Sequence, residues 1–126
     1  MELHHLTLAQ AAEKLRKKEI SSVELTQAVL KRVQALDPQI EAYLTVTEES
    51  ALAAAKSADT KLAQGEARSE LCGIPFALKD IFLTQGIRTT CASKILHNFI
   101  APYTATSAQK LLDDGIVLTG KLNMDE

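Results

Sequence analysis

The chain has 126 residues, about the size of one ordinary domain, with 46% hydrophobic and 24% charged residues and a formal net charge of -2. That balance excludes a disordered or fibrous chain, and a mildly acidic surface is a poor match for nucleic acid. No apolar stretch approaches the roughly 20 residues of a membrane span, and Met1 to His5 lacks the basic-then-apolar order of a secretory signal. A cytoplasmic setting without membrane contact is therefore the expectation.

Thr7 and Gln10 can form a capping box ahead of Leu8, Ala11, Ala12 and Leu15, which predicts a short first helix ending in the basic Arg16, Lys17 and Lys18. Ser21 and Glu24 repeat the cap. Leu25, Ala28, Val29, Val33 and Leu36 then keep helical spacing until Asp37-Pro38, where the second helix is expected to stop. Ile40, Ala42, Leu44 and Val46 alternate with Gln39, Glu41, Tyr43 and Thr45, the pattern of a strand with one covered face. Ala51, Ala54, Ala55, Ala58 and Leu62 predict a third helix with a narrow stripe for close packing, ended by Gln64-Gly65. Residues 65–70 read as an exposed loop. Cys72 to Leu83 is a strand-like apolar run, Ala105 to Asp114 a short helix, and Ile116 to Leu118 a buried strand. The expected class is α/β, with a helical segment over 1–64 and the start of an α/β catalytic core over 65–126.

Within the apolar run, Gly73-Ile-Pro-Phe-Ala-Leu-Lys79-Asp80 places one lysine where a lysine is costly. On an extended strand, Pro75, Ala77 and Lys79 share one face and Phe76 and Leu78 the other, so small neighbours leave room for the Lys79 side chain to lie inside the protein. Burial disfavours an ammonium and favours the neutral amine that can act as a base near neutral pH. A strand-end lysine reaching out to solvent is the competing reading. Asp80 points to the opposite face and is not an obvious partner for Lys79.

Other residues carry less chemistry. Cys72 and Cys91 form no CxxC or Cys/His ligand spacing, which points to reduced structural thiols. His4, His5 and His97 lack Asp, Cys or His partners at ligand spacing, so surface or packing roles are expected and no metal. Gly73, Gly86, Gly115 and Gly120 are assigned to turns and helix ends, and Gly120-Lys121 lacks the upstream glycine of a phosphate loop. Ser93 is assigned a turn or packing role rather than a catalytic one.

The string GIPFALKD at 73–80 is followed by Thr84, Gly86, Thr89 and Thr90, then by Cys91-Ala-Ser-Lys94, and finally by Gly120-Lys-Leu-Asn-Met-Asp-Glu126. In that order these blocks resemble the N-terminal portion of the amidase signature family. Residues 89–96, TTCASKIL, and the GKLNMDE ending look most like the glutaminase subunits of its tRNA-dependent amidotransferases. Thr104 stands where many relatives carry an acidic residue, and it is expected to cap the helix that follows.

The resemblance implies a Ser, cis-Ser, Lys arrangement in which Lys79 is the base. Both serines belong to a glycine- and serine-rich signature downstream of the block matched by residues 123–126, so the chain reads as the front of a longer enzyme and is expected to be inactive and marginally stable alone. The resemblance also implies glutamine as substrate, subunits B and C as partners, and tRNA held mainly by one of those partners. ATP and Mg are implied for that partner, and no cofactor for this chain. Two other expectations stand beside this one: a stand-alone small-amide amidase, and a non-catalytic interaction module.

Overall fold

Two reciprocal caps start the helical part of the chain. Gln10 N–H donates to Thr7 Oγ1 at 3.2 Å while Thr7 N–H donates to Gln10 Oε1 at 3.0 Å, which opens α1 (Leu8–Arg16). Glu24 N–H to Ser21 Oγ at 3.0 Å and Ser21 N–H to Glu24 Oε2 at 3.2 Å open α2 (Ser22–Ile40). Each cap contributes about 1 kcal/mol by satisfying amides that have no partner within the helix. The computed structural model describes residues 2–124, so Asp125 and Glu126 of the GKLNMDE block lie outside the described residues.

The predicted stop at Asp37-Pro38 is wrong, because α2 runs through Pro38 to Ile40. A proline in the last turn removes a single helical hydrogen bond, and the end is fastened otherwise. Glu41 takes the left-handed conformation, and Asp37 Oδ1 accepts from the amides of Ala42 and Tyr43 at 2.8 and 3.2 Å. The strand that follows is accordingly shorter than predicted. It is β1 (Tyr43–Val46), without Gln39 to Ala42, and Val46 at its end is exposed.

The alanine stripe becomes α3 (Glu48–Ala63), with Ala51, Ala55 and Ala58 buried. Ala51 and Ala55 pack with Leu30 of α2 and Val117 of the sheet, and the missing side-chain bulk permits that approach. Asp59 of α3 accepts from Ser22 N–H at 2.6 Å and Val23 N–H at 3.1 Å, a second cap on α2.

The sheet is mixed, in the order β1-β3-β2. Its middle strand, β3 (Val117–Leu122), is antiparallel to β1 and parallel to β2 (Pro75–Lys79). The apolar run to Leu83 therefore holds a strand only to Lys79. It ends where Phe82 N–H donates back to the Lys79 carbonyl at 3.1 Å and the chain turns at Asp80 and Ile81. Phe76 and Leu78 pack into different clusters, Phe76 with α1 and α2, and Leu78 with Leu118 and with Ala108 of α4 (Thr106–Asp113). Between them, pairing with β3 slips at Phe76/Ala77. Thr104 does not cap α4. Its hydroxyl accepts from Gln85 N–H at 2.9 Å instead, tying the preceding loop.

Gly120 serves no turn, since it lies inside β3. A Cβ there would stand 2.7 Å and 2.8 Å from the Tyr43 ring and would also collide with the Thr45 carbonyl oxygen, so glycine is what lets β1 close on β3. Gly120→Ala in the complete protein is expected to lower unfolding free energy by about 1–3 kcal/mol, the usual cost of overfilling a packed site. Urea denaturation followed by circular dichroism measures it.

Candidate active site

Lys79 is the last residue of β2 and pairs in register with Leu122 of β3. Its neighbours Leu78 and Asp80 are buried, whereas Lys79 itself is exposed. The interior position expected from its small strand neighbours is not the one it occupies. Pro75 and Ala77 are themselves only half-buried, so that face of β2 is not enclosed here.

The lysine that is buried is Lys121, one residue before the strand partner of Lys79. Lys121 and Asp80 are both 0% exposed, and Lys121 Nζ lies 3.3 Å from Asp80 Oδ1. Lys121 Nζ also donates to the Phe82 carbonyl at 2.7 Å and to Thr89 Oγ1 at 3.1 Å. On the other carboxylate oxygen, Asp80 Oδ2 accepts from Thr90 N–H at 2.9 Å and from the Thr90 hydroxyl. Burial pushes the pKa of the Lys121 ammonium below lysine's ordinary value, and Asp80 opposes that shift.

This network organises the segment after the strand. Cys91 N–H donates to the Asp80 carbonyl at 3.2 Å, Ala92 N–H to Thr90 Oγ1 at 3.1 Å, and Ser93 N–H to the Thr90 carbonyl at 2.8 Å. Cys91 and Ala92, both non-glycine, sit in the left-handed region at φ 51° and 56°. Arg88 fastens the outer part of the loop to β1, donating to the Leu44 carbonyl at 3.0 Å and the His97 carbonyl at 2.8 Å. The three consecutive amides at 91–93 are thus spent inside the loop and do not converge on an oxyanion site. Ser93 takes the turn role, its hydroxyl accepting from Ile95 N–H at 3.2 Å.

Asp80 and Lys121 are functional candidates that sequence reasoning misses. Lys121 lies in an apolar strand just as Lys79 does, and the same reasoning applied to it exposes the buried cation. Its partner is 41 residues away, which no local pattern reveals. Gly120-Lys121 is no phosphate cradle, because the ammonium is enclosed and already bonded.

Glu2, His4 and His5 come together at the N-terminal turn Leu3–His5, a grouping that His-to-His spacing alone does not suggest. His4 Nε2 lies 3.2 Å from Glu2 Oε2, and the three possible ligand atoms lie within 4.8 Å of one another. Lys31 and Arg32 line the same hollow and repel a cation. Cys72 is a buried free thiol whose pKa burial raises, and Cys91 is an exposed one. Among the described residues, no helix is long and apolar enough to cross a membrane.

A mixed sheet flanked by helices, with Lys79 at the end of one parallel strand and a buried Asp80–Lys121 pair beside it in sequence, is the frame set against known proteins. The sequence profile of the family described as Amidase matches residues 24–126, and the chain belongs to that family. Over all 126 residues it is 60% identical to the A subunit of the glutamyl-tRNA(Gln) amidotransferase of Desulfatibacillum aliphaticivorans and 56% identical to the protein of the same name from Geobacter metallireducens, spanning 26% of the length of each. The X-ray structure of the native peptide amidase from Stenotrophomonas maltophilia superposes on 97% of this chain and 25% of its own with a TM-score of 0.90, at 32% identity.

Proposed function

We propose that the complete protein is the glutamine-hydrolysing component of a tRNA-dependent amidotransferase. The observation that carries this reading is the 60% identity along the whole chain to a relative named as the A subunit of a glutamyl-tRNA(Gln) amidotransferase, against 32% to the peptide amidase. In this reading Lys79 is the base. It takes a proton, through a bridging serine, from a serine nucleophile contributed by residues beyond these 126. The nucleophile adds to the glutamine side-chain amide, the C–N bond breaks, and the leaving nitrogen takes that proton and departs as ammonia. Water then cleaves the acyl ester, giving glutamate and the original serine.

Ammonia passes to a partner subunit that uses ATP and Mg to activate misacylated Glu-tRNA(Gln) or Asp-tRNA(Asn), with subunits B and C completing the assembly in the cytoplasm. This division of labour agrees with the net charge of -2, since a subunit that only produces ammonia need not neutralise phosphates. The likeness of fold to the peptide amidase supports a second reading, a stand-alone amidase.

Ammonia release from glutamine by the complete protein, with and without its partner subunits, tests both. The tRNA reading expects glutamine hydrolysis and amidation of Glu-tRNA(Gln) or Asp-tRNA(Asn) in the assembled enzyme. Hydrolysis of peptide amides with no turnover of glutamine would instead select the second reading. Residues 1–126 alone are expected to release no ammonia, because a base without its nucleophile forms no acyl ester.

A further inference from the structure

We infer that the buried Asp80–Lys121 pair is a positioning device for Lys79, an inference that rests on the catalytic role proposed for that lysine. Asp80 is the residue next to Lys79, and its N–H donates to the Leu122 carbonyl at 3.0 Å, carrying the β2–β3 ladder one step past the lysine. Lys121 precedes Leu122, the strand partner of Lys79. The two buried side chains therefore stand on both strands at the point where Lys79 emerges.

Stability alone is a poor reason for such a pair. Taking both charges out of water is expensive, and apolar residues of similar volume often hold a fold equally well. Apolar residues could not fix the groups that this pair fixes: the Phe82 carbonyl, the Thr89 hydroxyl, and the amide and hydroxyl of Thr90. These belong to the turn and loop that follow Lys79. The loop contains Cys91 and Ala92 in consecutive left-handed conformations, which persist only where the surroundings determine them. The network supplies that constraint through the Asp80 carbonyl and Thr90 Oγ1.

A base must meet its proton within hydrogen-bonding reach, and an error of about 1 Å costs roughly 100-fold in rate. Lys79 is the last residue of its strand, and the strand end and the loop that follows it set where its stem starts. Asp80 and Lys121 touch no substrate in this account. They act through Lys79 and through the loop at 89–93.

The test uses the complete protein, glutamine, and four variants. Asp80→Asn combined with Lys121→Met removes both charges together and avoids leaving one of them buried alone. Thr89→Val and Thr90→Val each remove a single hydroxyl from the network while keeping side-chain volume. Lys79→Ala is the reference for the catalytic role.

The expected result is a folded double variant with kcat reduced about 10- to 100-fold and KM for glutamine within about threefold of the parent. Each threonine variant should lower kcat several-fold while keeping a cooperative melting transition above the assay temperature. Wild-type kcat in the folded double variant overturns the inference. Should the double variant not fold, wild-type kcat in both threonine variants overturns it, and so does a kcat loss that only follows a lost melting transition. If the parent releases no ammonia from glutamine, or Lys79→Ala keeps full activity, the functional reading fails instead, and the two failures are told apart.

Discussion

Lys121→Met alone is expected to cost the complete protein about 3–5 kcal/mol of stability, because it leaves the Asp80 carboxylate in the interior without its counter-charge. The Phe82 carbonyl and Thr89 hydroxyl lose their donor in the same step. Equilibrium urea unfolding of parent and variant, with equal slopes, measures the difference. A loss below about 1 kcal/mol would mean that water or rearrangement satisfies Asp80 and that the pair is not isolated.

The same lysine gives the parent a pH signature. Burial lowers its pKa in the fold below the ordinary 10.5, whereas the unfolded chain keeps that ordinary value. Between the two values the unfolded chain holds a proton that the folded chain has released. Stability contributed by this site therefore rises with pH across that window and levels off above 10.5. Lys121→Met removes this contribution, so the stability gap between parent and variant should widen as pH climbs through the window. A gap independent of pH would show that the ammonium is not penalised by burial.

Lys79→Ala in the complete protein is expected to reduce ammonia release from glutamine at least about 1000-fold, the scale seen when one member of a catalytic triad is removed. The melting temperature should hardly move, because Lys79 is exposed at a strand end and surface substitutions usually stay within about 0.5 kcal/mol. Loss of rate without loss of stability is the combination that distinguishes a base from a structural cation. Lys121→Met should lose stability as well as rate, which separates a buried positioning residue from the exposed base although the two lysines lie on adjacent strands. A Lys79→Ala enzyme that keeps more than a tenth of the parent rate would remove Lys79 from the chemistry.

Local signals were readable wherever their partners lie within a few residues. Both capping boxes formed as the sequence suggested, since Thr7 with Gln10 and Ser21 with Glu24 close over three positions. The alanine stripe also held, because helical period and small size are both local properties. Pro38 misled because proline's cost depends on its place in the helix, and Asp37 supplied a fastening that only the folded chain reveals. The long apolar run after Cys72 misled for a related reason. Apolar content does not fix the shape of the backbone, and the turn past Lys79, with Ile81 exposed and Phe82 and Leu83 half-buried, is as apolar in composition as the strand before it.

The candidate site divided along the same line. The α/β class was legible from the alternation of elements, and GIPFALKD singled out Lys79 as the candidate base now proposed, though not its exposed position. Its seat was not legible. Asp80 and Lys121 meet through a parallel pairing of strands, and neither residue's own neighbourhood predicts the other. Gly120 shows the same limit, since its lack of a side chain answers to Tyr43 and Thr45 across the sheet rather than to a turn in its own segment.

The strand order also orders events in time. β3 emerges from the ribosome after both of its partners, yet it lies between them, so during synthesis β1 and β2 have nothing to pair with until residues 117–122 are released. The capped helices can form early from near neighbours, while the sheet waits for contacts spanning some 40 to 80 positions, the kind that slow folding most. Until then, the nascent chain carries two unpaired strands, a natural target for a chaperone. A pause in translation shortly before β3 would prolong that exposed interval, and one after it would let the sheet close.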